Sequence, residues 1–405
     1  MRSCLTLNTV EITKKFHITR QTINNWEKYG GLKTKRTPTN RLIWDEESIR
    51  WLQNYIDRRQ ENRIKKKMDK KIEIQNRRYL GAKTRLLDFI DQVVSKHTNN
   101  VTSIADIFAG TGIVSKHFMD QDMEIYVNDL LDSNYLCYQA FLGIDPVDDN
   151  KVLNAISSMN ELQADGDNYV SLNYGNKYFS VENARKIGEA REFIEAGNFK
   201  TRERAILLTS LIYAMDKVAN TVGHYDAYRK KMDTIAPIEF KLPNYNKQFD
   251  KRVHLFHEDA NQLVKSISAD LVYIDPPYNS RQYGDVYHVL ENIVDWKKPE
   301  LFGIAMKPKD RSKTKSRYST SKAPEAFDSL IQSIDSRYIL VSYNNMAQKG
   351  AGRSNAKISN EEIIHSLSKR GKVSVFSEDF KVFTTGKTNI SGHKEILYLV
   401  EVKND

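Results

Sequence analysis

Apolar and polar positions follow two successive rhythms along the chain. In the stretch Asn8 to Tyr29, NTVEITKKFHITRQTINNWEKY, the helical period predicts two short helices separated by a tight turn. Val10, Ile12 and Phe16 supply one apolar face. Thr19 caps the second helix, and Ile23 with Trp26 point back into the core. Arg20, Gln21, Asn24 and Asn25 are left on the outward side, and these side-chain types suit base edges and phosphates. After Gly30 and Gly31, LKTKRTPTNRLIW reads as a two-stranded wing. Asp45 then starts a helix with Ile49, Leu52 and Ile56 on one face. The expected organisation is a small domain over residues 1–56, a basic helical linker over 57–76 and a large domain over 77–405.

From Arg77 the rhythm changes to short apolar runs that end in small or acidic residues. Ile104 to Phe108 is the first expected strand, followed by a glycine turn at Gly110 and Gly112 and a helix from Ile113. EIYVNDLLDSNYL, RVHLFHEDANQLV and DLVYIDPPY repeat the plan, and YILVSYNN and KEILYLVEV supply later strands, the last antiparallel. Consecutive βα units gather their strand ends at one edge of a parallel sheet, which makes that edge the expected binding site. Between residues 130 and 250 the βα rhythm is interrupted. There Ile206, Leu207, Leu208, Leu211, Ile212 and Met215 leave a helix apolar nearly all round, so it should be buried. The following NTVGHYDAYRKKM is polar, basic and aromatic, with a composition suited to DNA.

The strand ends carry the candidate chemistry. A glycine turn after the first strand exposes backbone N–H groups to a ligand. Asp129, at the end of the second strand, is placed to accept hydrogen bonds from a ribose. In VYIDPPY the prolines Pro276 and Pro277 remove two backbone donors and fix φ, so the strand stops in a rigid loop, which serves either as a chain reversal alone or to hold Asp275 and Tyr278 in a fixed geometry for chemistry. Tyr287 and His288 read as helix packing, and His224 and His257 are not spaced as a metal pair.

Composition narrows the class. The chain has 405 residues, 40% of them hydrophobic, and a formal charge of +10, which favours a polyanionic partner. Basic runs occur at DRRQENRIKKKMDKK and at KPKDRSKTKSRYSTSK, the latter expected to be a mobile loop beside the pocket with Lys313 and Arg317 near phosphate. The two cysteines, Cys4 and Cys137, support neither a disulfide framework nor a zinc site. No stretch reads as a membrane span or signal peptide, and a cytoplasmic protein is expected.

YLGAK, DIFAGTG, VNDL and IDPPYNSRQY, in this order, resemble the motifs of Dam-like, alpha-group DNA adenine methyltransferases of restriction-modification systems. The resemblance runs from about Arg77 to the end. It implies an α/β, Rossmann-like methyltransferase sheet, a helical target-recognition insertion at about 130–250, S-adenosylmethionine as donor and no metal. Residue by residue, it places Tyr79 and Lys83 at the donor's methionine portion. Asp106 and the backbone of Ala109 to Gly112, within the pattern Phe108-Ala109-Gly110-Thr111-Gly112, would hold its amino and carboxylate groups. Asp129 would meet the ribose and Asp259 the adenine. Asp275 and the Pro276 carbonyl would take the target amino group, and Tyr278 would stack on a base flipped out of duplex DNA. The first sixth of the chain resembles the winged helix-turn-helix of MerR-type regulators. The implied partners are double-stranded DNA, through Arg20, Gln21, Asn24, Arg281, Lys313 and Arg317, and a cognate restriction endonuclease. Two alternatives stay open: an RNA methyltransferase, and a MerR-like regulator that only senses S-adenosylmethionine.

Overall fold

A computed structural model describes residues 7–29, 31–68, 71–232, 236–249, 251–344, 356–379 and 394–403, without the side chains of 58, 60–68 and 379. Cys4, and residues 345–347 of the SYNNMA segment, lie outside the described residues. The chain divides into two compact units, residues 1–70 and 71–405.

In the first unit, Asn8 caps the helix Thr9–Lys15 through the amides of Val10 and Glu11, while Glu11 reaches back to the Asn8 amide. Ile12 is buried and Phe16 packs beside it, but Val10 is 62% exposed. Val10 lies two positions, and so roughly 200° of helix, away from Ile12, and cannot share its face. Thr19 accepts from the Thr22 amide at 3.1 Å and starts the helix Arg20–Tyr29. Ile23 packs with Ile12, Leu32, Trp44 and Leu52. Lys35–Arg36 and Leu42–Ile43 form the antiparallel ribbon. The third helix then runs unbroken from Glu46 to Met68, taking up most of the segment expected as a separate linker. The end of that expected linker belongs to the second unit. Ile72 and Ile74 are buried in its core, and the Ile72 amide donates to the Leu242 carbonyl at 2.9 Å.

The second unit is built on a seven-stranded sheet of β1 (Ser103–Asp106), β2 (Glu124–Asn128), β3 (Val253–Phe256), β4 (Ser268–Ile274), β5 (Asp335–Asn344), β6 (Gly371–Asp379) and β7 (Lys394–Val402). Their spatial order is β6-β7-β5-β4-β1-β2-β3. All neighbours pair in parallel except β7, which is antiparallel to both β5 and β6. Strand β6 has no counterpart in the expected elements. The chain passes from β1 outward to β2 on one side, while β4 lies on the other, so the crevice between the carboxyl ends of β1 and β4 is a topological switch point.

Alternation along the strands builds two cores. Ile104, Leu271, Tyr273 and Leu340 face one layer, and Ala105, Val272, Ile274, Ile339 and Val341 face the other. The second layer consists of the helices Ala260–Leu263, Ala323–Ser333 and Asn360–Ser368. The first holds Leu87–His97, Ile113–Met119 and His288–Asp295 together with helices of the 130–250 segment. That segment is therefore continuous with the sheet's own core. Its helix Thr201–Val218 buries all six of the apolar residues named above, because each side of the helix meets another element. No helix among the described residues is long and apolar enough to cross a membrane.

Leu211 is fully buried in this layer. Leu211→Ala should lower unfolding free energy by about 2–5 kcal/mol through the cavity it leaves, measured by urea titration.

Candidate active site

Strand β1 ends in Asp106, which is 1% exposed. Its Oδ2 accepts from the Ser115 hydroxyl at 2.8 Å, whereas its buried Oδ1 has no hydrogen-bond partner among the described residues. Burial pushes the carboxyl up to about 7, and the charges of Asp275 and Asp129 add to the rise. A buried acceptor of this kind is costly until a donor or cation reaches it.

The glycine turn follows. Gly110 has φ +54°, and a Cβ there would stand 3.0 Å from the Tyr79 ring; Gly112 has φ +77°, and its Cβ would stand 2.9 Å from the Tyr138 ring. Glycine is required at both positions by the backbone conformation and by these close approaches. Three amides of the turn are engaged within the fold. The Ala109 amide donates to the Asn128 carbonyl, and the Gly112 amide to the Ala109 carbonyl at 2.7 Å. The Gly110 amide donates to Asp129 Oδ2 at 2.9 Å. Gly112 is not on the cleft wall. These bonds hold the turn against the neighbouring strand, while Phe108, Ala109, Gly110 and Thr111 line the cleft.

Asp129 also accepts from the Leu131 amide at 2.9 Å, and burial raises its carboxyl above the usual range. Each of its oxygens keeps acceptor capacity for a hydroxyl. Tyr79 buttresses the turn. Its ring stacks on Tyr287 with centroids 4.7 Å apart, and Asn134 donates to its hydroxyl at 3.0 Å. Phe108 packs edge-on against Tyr318, centroids 4.9 Å apart. Asp259 has a structural task as well, capping Ala260–Leu263 through the Asn261 amide at 3.0 Å and facing Arg317 at 3.5 Å.

At the end of β4, Asp275 sits in a cluster that residue spacing does not reveal. Lys83 Nζ lies 2.9 Å from Asp275 Oδ1 and donates to the Tyr278 hydroxyl at 2.8 Å. The Tyr278 hydroxyl is 2.6 Å from Asp275 Oδ1 and 2.8 Å from Glu395 Oε1. Glu395 comes from β7, is buried, and accepts from the Ser342 hydroxyl at 3.0 Å. Burial opposes the Lys83 charge, but Asp275 and Glu395 outweigh it and raise the ammonium above its ordinary value. Burial raises Asp275 too, Lys83 pulls it back and Glu395 pushes it further up. Glu395 and Ser342 are absent from the sequence expectations; the one available signal was an acid at the start of the apolar strand KEILYLVEV.

The basic segment 307–322 is packed beside Asp275–Tyr283 instead of forming a loose loop. Gln282 bonds Ser316 twice, at 3.0 and 2.8 Å, and Tyr318 is buried in the second core. Thr314 lies so close to Gly284 that a Cβ there would come within 2.0 Å of its hydroxyl. Arg281 and Arg317 are exposed, as is Lys313, which pairs with Asp132 at 2.9 Å. From the 130–250 segment, Thr221, Val222, Gly223 and Arg229 reach the cleft wall. In the first unit, Arg20, Gln21 and Asn24 are exposed on one helix. Among the described residues no group of acids, histidines or cysteines is arranged to hold a metal ion.

The cleft at the switch point has a volume of about 1040 Å³, and Asp106, Asp129, Asp275, Lys83 and Glu395 all line it. A mostly parallel sheet with a ligand-sized cleft at the carboxyl ends of β1 and β4 defines a Rossmann-like α/β enzyme. The family described as D12 class N6 adenine-specific DNA methyltransferase matches residues 79–351, and the chain belongs to it. It is 38% identical over 288 residues to modification methylase StsI of Streptococcus sanguinis, covering 66% of this chain and 44% of that protein. With modification methylase LlaI of Lactococcus lactis subsp. lactis it shares 37% identity over 294 residues, 67% of this chain and 46% of that protein. The chain thus spans less than half the length of either relative. Type II methyltransferase M.NlaIII of Neisseria lactamica is 30% identical over 347 residues, covering 80% of this chain and 98% of that protein.

The raised Asp106 carboxyl has a measurable consequence. Folding takes up a proton between the ordinary aspartate range and about 7, so this contribution to stability is present at low pH and is lost as pH rises through about 7. The thermal midpoint of Asp106→Asn should therefore gain on wild type as pH is raised from about 4 to about 7, then hold a constant difference above that. Parallel midpoint curves for the two proteins would contradict this.

Proposed function

We propose that the protein transfers the methyl group of S-adenosylmethionine to N6 of an adenine within a specific sequence of duplex DNA, as the modifying activity of a restriction-modification system. The observation that carries this reading is the convergence of Asp275-Pro276-Pro277-Tyr278 with the partnerless Asp106 oxygen in one cleft. S-adenosylmethionine, when bound, supplies an electrophilic methyl group on a sulfonium centre. Its cationic amino group fits the unsatisfied Asp106 Oδ1, and its ribose hydroxyls fit Asp129.

The chain's own residues supply the rest. The exocyclic amino nitrogen of adenine is a weak nucleophile because its lone pair is delocalised into the ring. Asp275 and the Pro276 carbonyl accept hydrogen bonds from the two amino protons, which favours a pyramidal nitrogen. Pro276 and Pro277 hold those acceptors without reorganisation. The hydroxyl of Tyr278 is anchored by its buried partners, which limits how far the ring can swing and suits it to stack on a flipped base. Arg281, Lys313 and Arg317 are exposed cations suited to the DNA backbone.

The motif order, with YLGAK ahead of the glycine turn and Asp-Pro-Pro-Tyr, supports assignment to the Dam-like alpha group. The names of the relatives, modification methylases and type II methyltransferases, support a role beside a cognate endonuclease and hence a cytoplasmic location. The helix pair, ribbon and outward Arg20, Gln21 and Asn24 support reading residues 1–56 as a MerR-like winged helix that adds DNA affinity.

Incubation with methyl-labelled S-adenosylmethionine and either duplex DNA or RNA, followed by nucleoside analysis, tests the reaction. Labelled N6-methyladenine is expected, and Asp275→Ala should abolish it while donor binding by calorimetry persists. Label confined to RNA, or turnover retained in the variant, would overturn the assignment. For the first unit, replacing Arg20, Gln21 and Asn24 together with alanine should weaken DNA binding and reduce the salt dependence of affinity by about one phosphate contact. Turnover at saturating DNA should not change.

A further inference from the structure

The cluster around Asp275 contains one more carboxylate than the reaction described above uses. Lys83 lies 2.9 Å from Asp275, and an ammonium at that distance cancels the charge of a single carboxylate. Methyl transfer to an amine moves positive charge onto that nitrogen. A neutral Lys83–Asp275 pair would offer the charge little stabilisation, and the ammonium itself would repel it. Glu395 changes this balance. It lies 3.3 Å from Lys83 Nζ, accepts from the Tyr278 hydroxyl at 2.8 Å, and is held by Ser342 at 3.0 Å. Lys83 and Glu395 are each 5% exposed, so water does little to screen them. The Tyr278 hydroxyl has one proton and two carboxylate neighbours, so it satisfies Asp275 or Glu395 but not both.

We propose that Glu395 is a positioning residue, a second carboxylate that shares Lys83 and the Tyr278 hydroxyl with Asp275, so that the Lys83 charge does not fully cancel that of Asp275 toward the target amino group. The cluster of buried Lys83 and Glu395 with half-buried Asp275 then has a net charge of −1 when all three are ionised. That charge faces the nitrogen on which positive charge develops, a preorganised form of transition-state stabilisation. The proposal rests on the methyl-transfer reading, and extends it to a residue contributed by the antiparallel strand β7.

The test compares wild type with Glu395→Gln, which keeps size and a hydrogen-bond acceptor but removes the charge. Under single turnover with saturating DNA and S-adenosylmethionine, Glu395→Gln should lose at least about tenfold in rate, with little change in donor affinity or in the KM for DNA. Glu395→Asp, which keeps the charge, should retain more activity than the glutamine variant. In a Lys83→Met background the glutamine substitution should cost nothing further, because the charge it neutralises is gone. A readout that needs no turnover accompanies these: the 13C-carboxyl titration of Asp275 should move to lower pH in Glu395→Gln, since a like charge has been removed. Wild-type rate in Glu395→Gln, an equal loss in Glu395→Asp, a loss that persists undiminished beside Lys83→Met, or an unmoved Asp275 titration would each overturn the proposal. If Glu395→Gln fails to fold, the aspartate variant decides by its rate and by whether its Asp275 titration stays where wild type has it. A wild-type protein that methylates no DNA would instead remove the underlying functional reading.

Discussion

Carboxylates held out of water at one edge of a sheet are the constraint on which this molecule depends. Asp106, Asp129 and Asp275 each follow or end a strand whose residues are buried on both faces, and burial raises all three. Left alone, such groups would protonate or draw in water. The structure holds them by assigning a different device to each. Asp129 is met by the amides of Gly110 and Leu131, Asp275 by Lys83 and Tyr278, and Asp106 by Ser115 on one oxygen only. The incomplete satisfaction of Asp106 makes the edge receptive to a cation. A methyl donor that carries both an ammonium and a sulfonium group matches that field.

The two-sided core is what holds the edge rigid. Parallel strands covered by helices on both faces leave little freedom in where each strand stops. The 130–250 segment contributes to this rigidity because its helices share the sheet's core. Arg77 shows the coupling. It is buried, lies 3.6 Å from Asp216 on the long buried helix, donates to Asn134 at 2.7 Å, and lies over the rings of Tyr79 and Tyr287. Tyr79 in turn stands against Gly110. The helical segment and the glycine turn are thereby joined through a continuous set of contacts.

Much of this was legible in the sequence where the controlling physics is local. Alternation in DLVYIDPPY identifies a strand, because successive side chains point to opposite layers, and the prolines identify where it ends. The all-round apolar helix at 201–218 was legible for the same reason. Features set by partners far along the chain were not. The glycine turn reads as a row of N–H groups, yet the amides of Ala109, Gly110 and Gly112 go to Asn128, Asp129 and Ala109. The basic segment 307–322 looked like a loose loop because its charge dominates its composition, but Gln282, Gly284 and the buried Tyr318 hold it. Val10 was misplaced on the apolar face by a shift of two residues, which a helix turns into nearly the opposite side.

What the sequence determined by itself was therefore the list of chemical parts and the strand ends on which they sit, since periodicity and turn chemistry depend on neighbours within a few residues. Tertiary structure alone decided which parts meet. Lys83, Asp275, Tyr278 and Glu395 come from three distant segments, and Glu395 reaches the site only because β7 enters antiparallel beside β5 and presents its first turn of residues at the same edge where the parallel strands finish. The antiparallel sense of this last strand is expected from the sequence, but neighbour order is settled by how the whole sheet buries its two faces, and no local pattern encodes it.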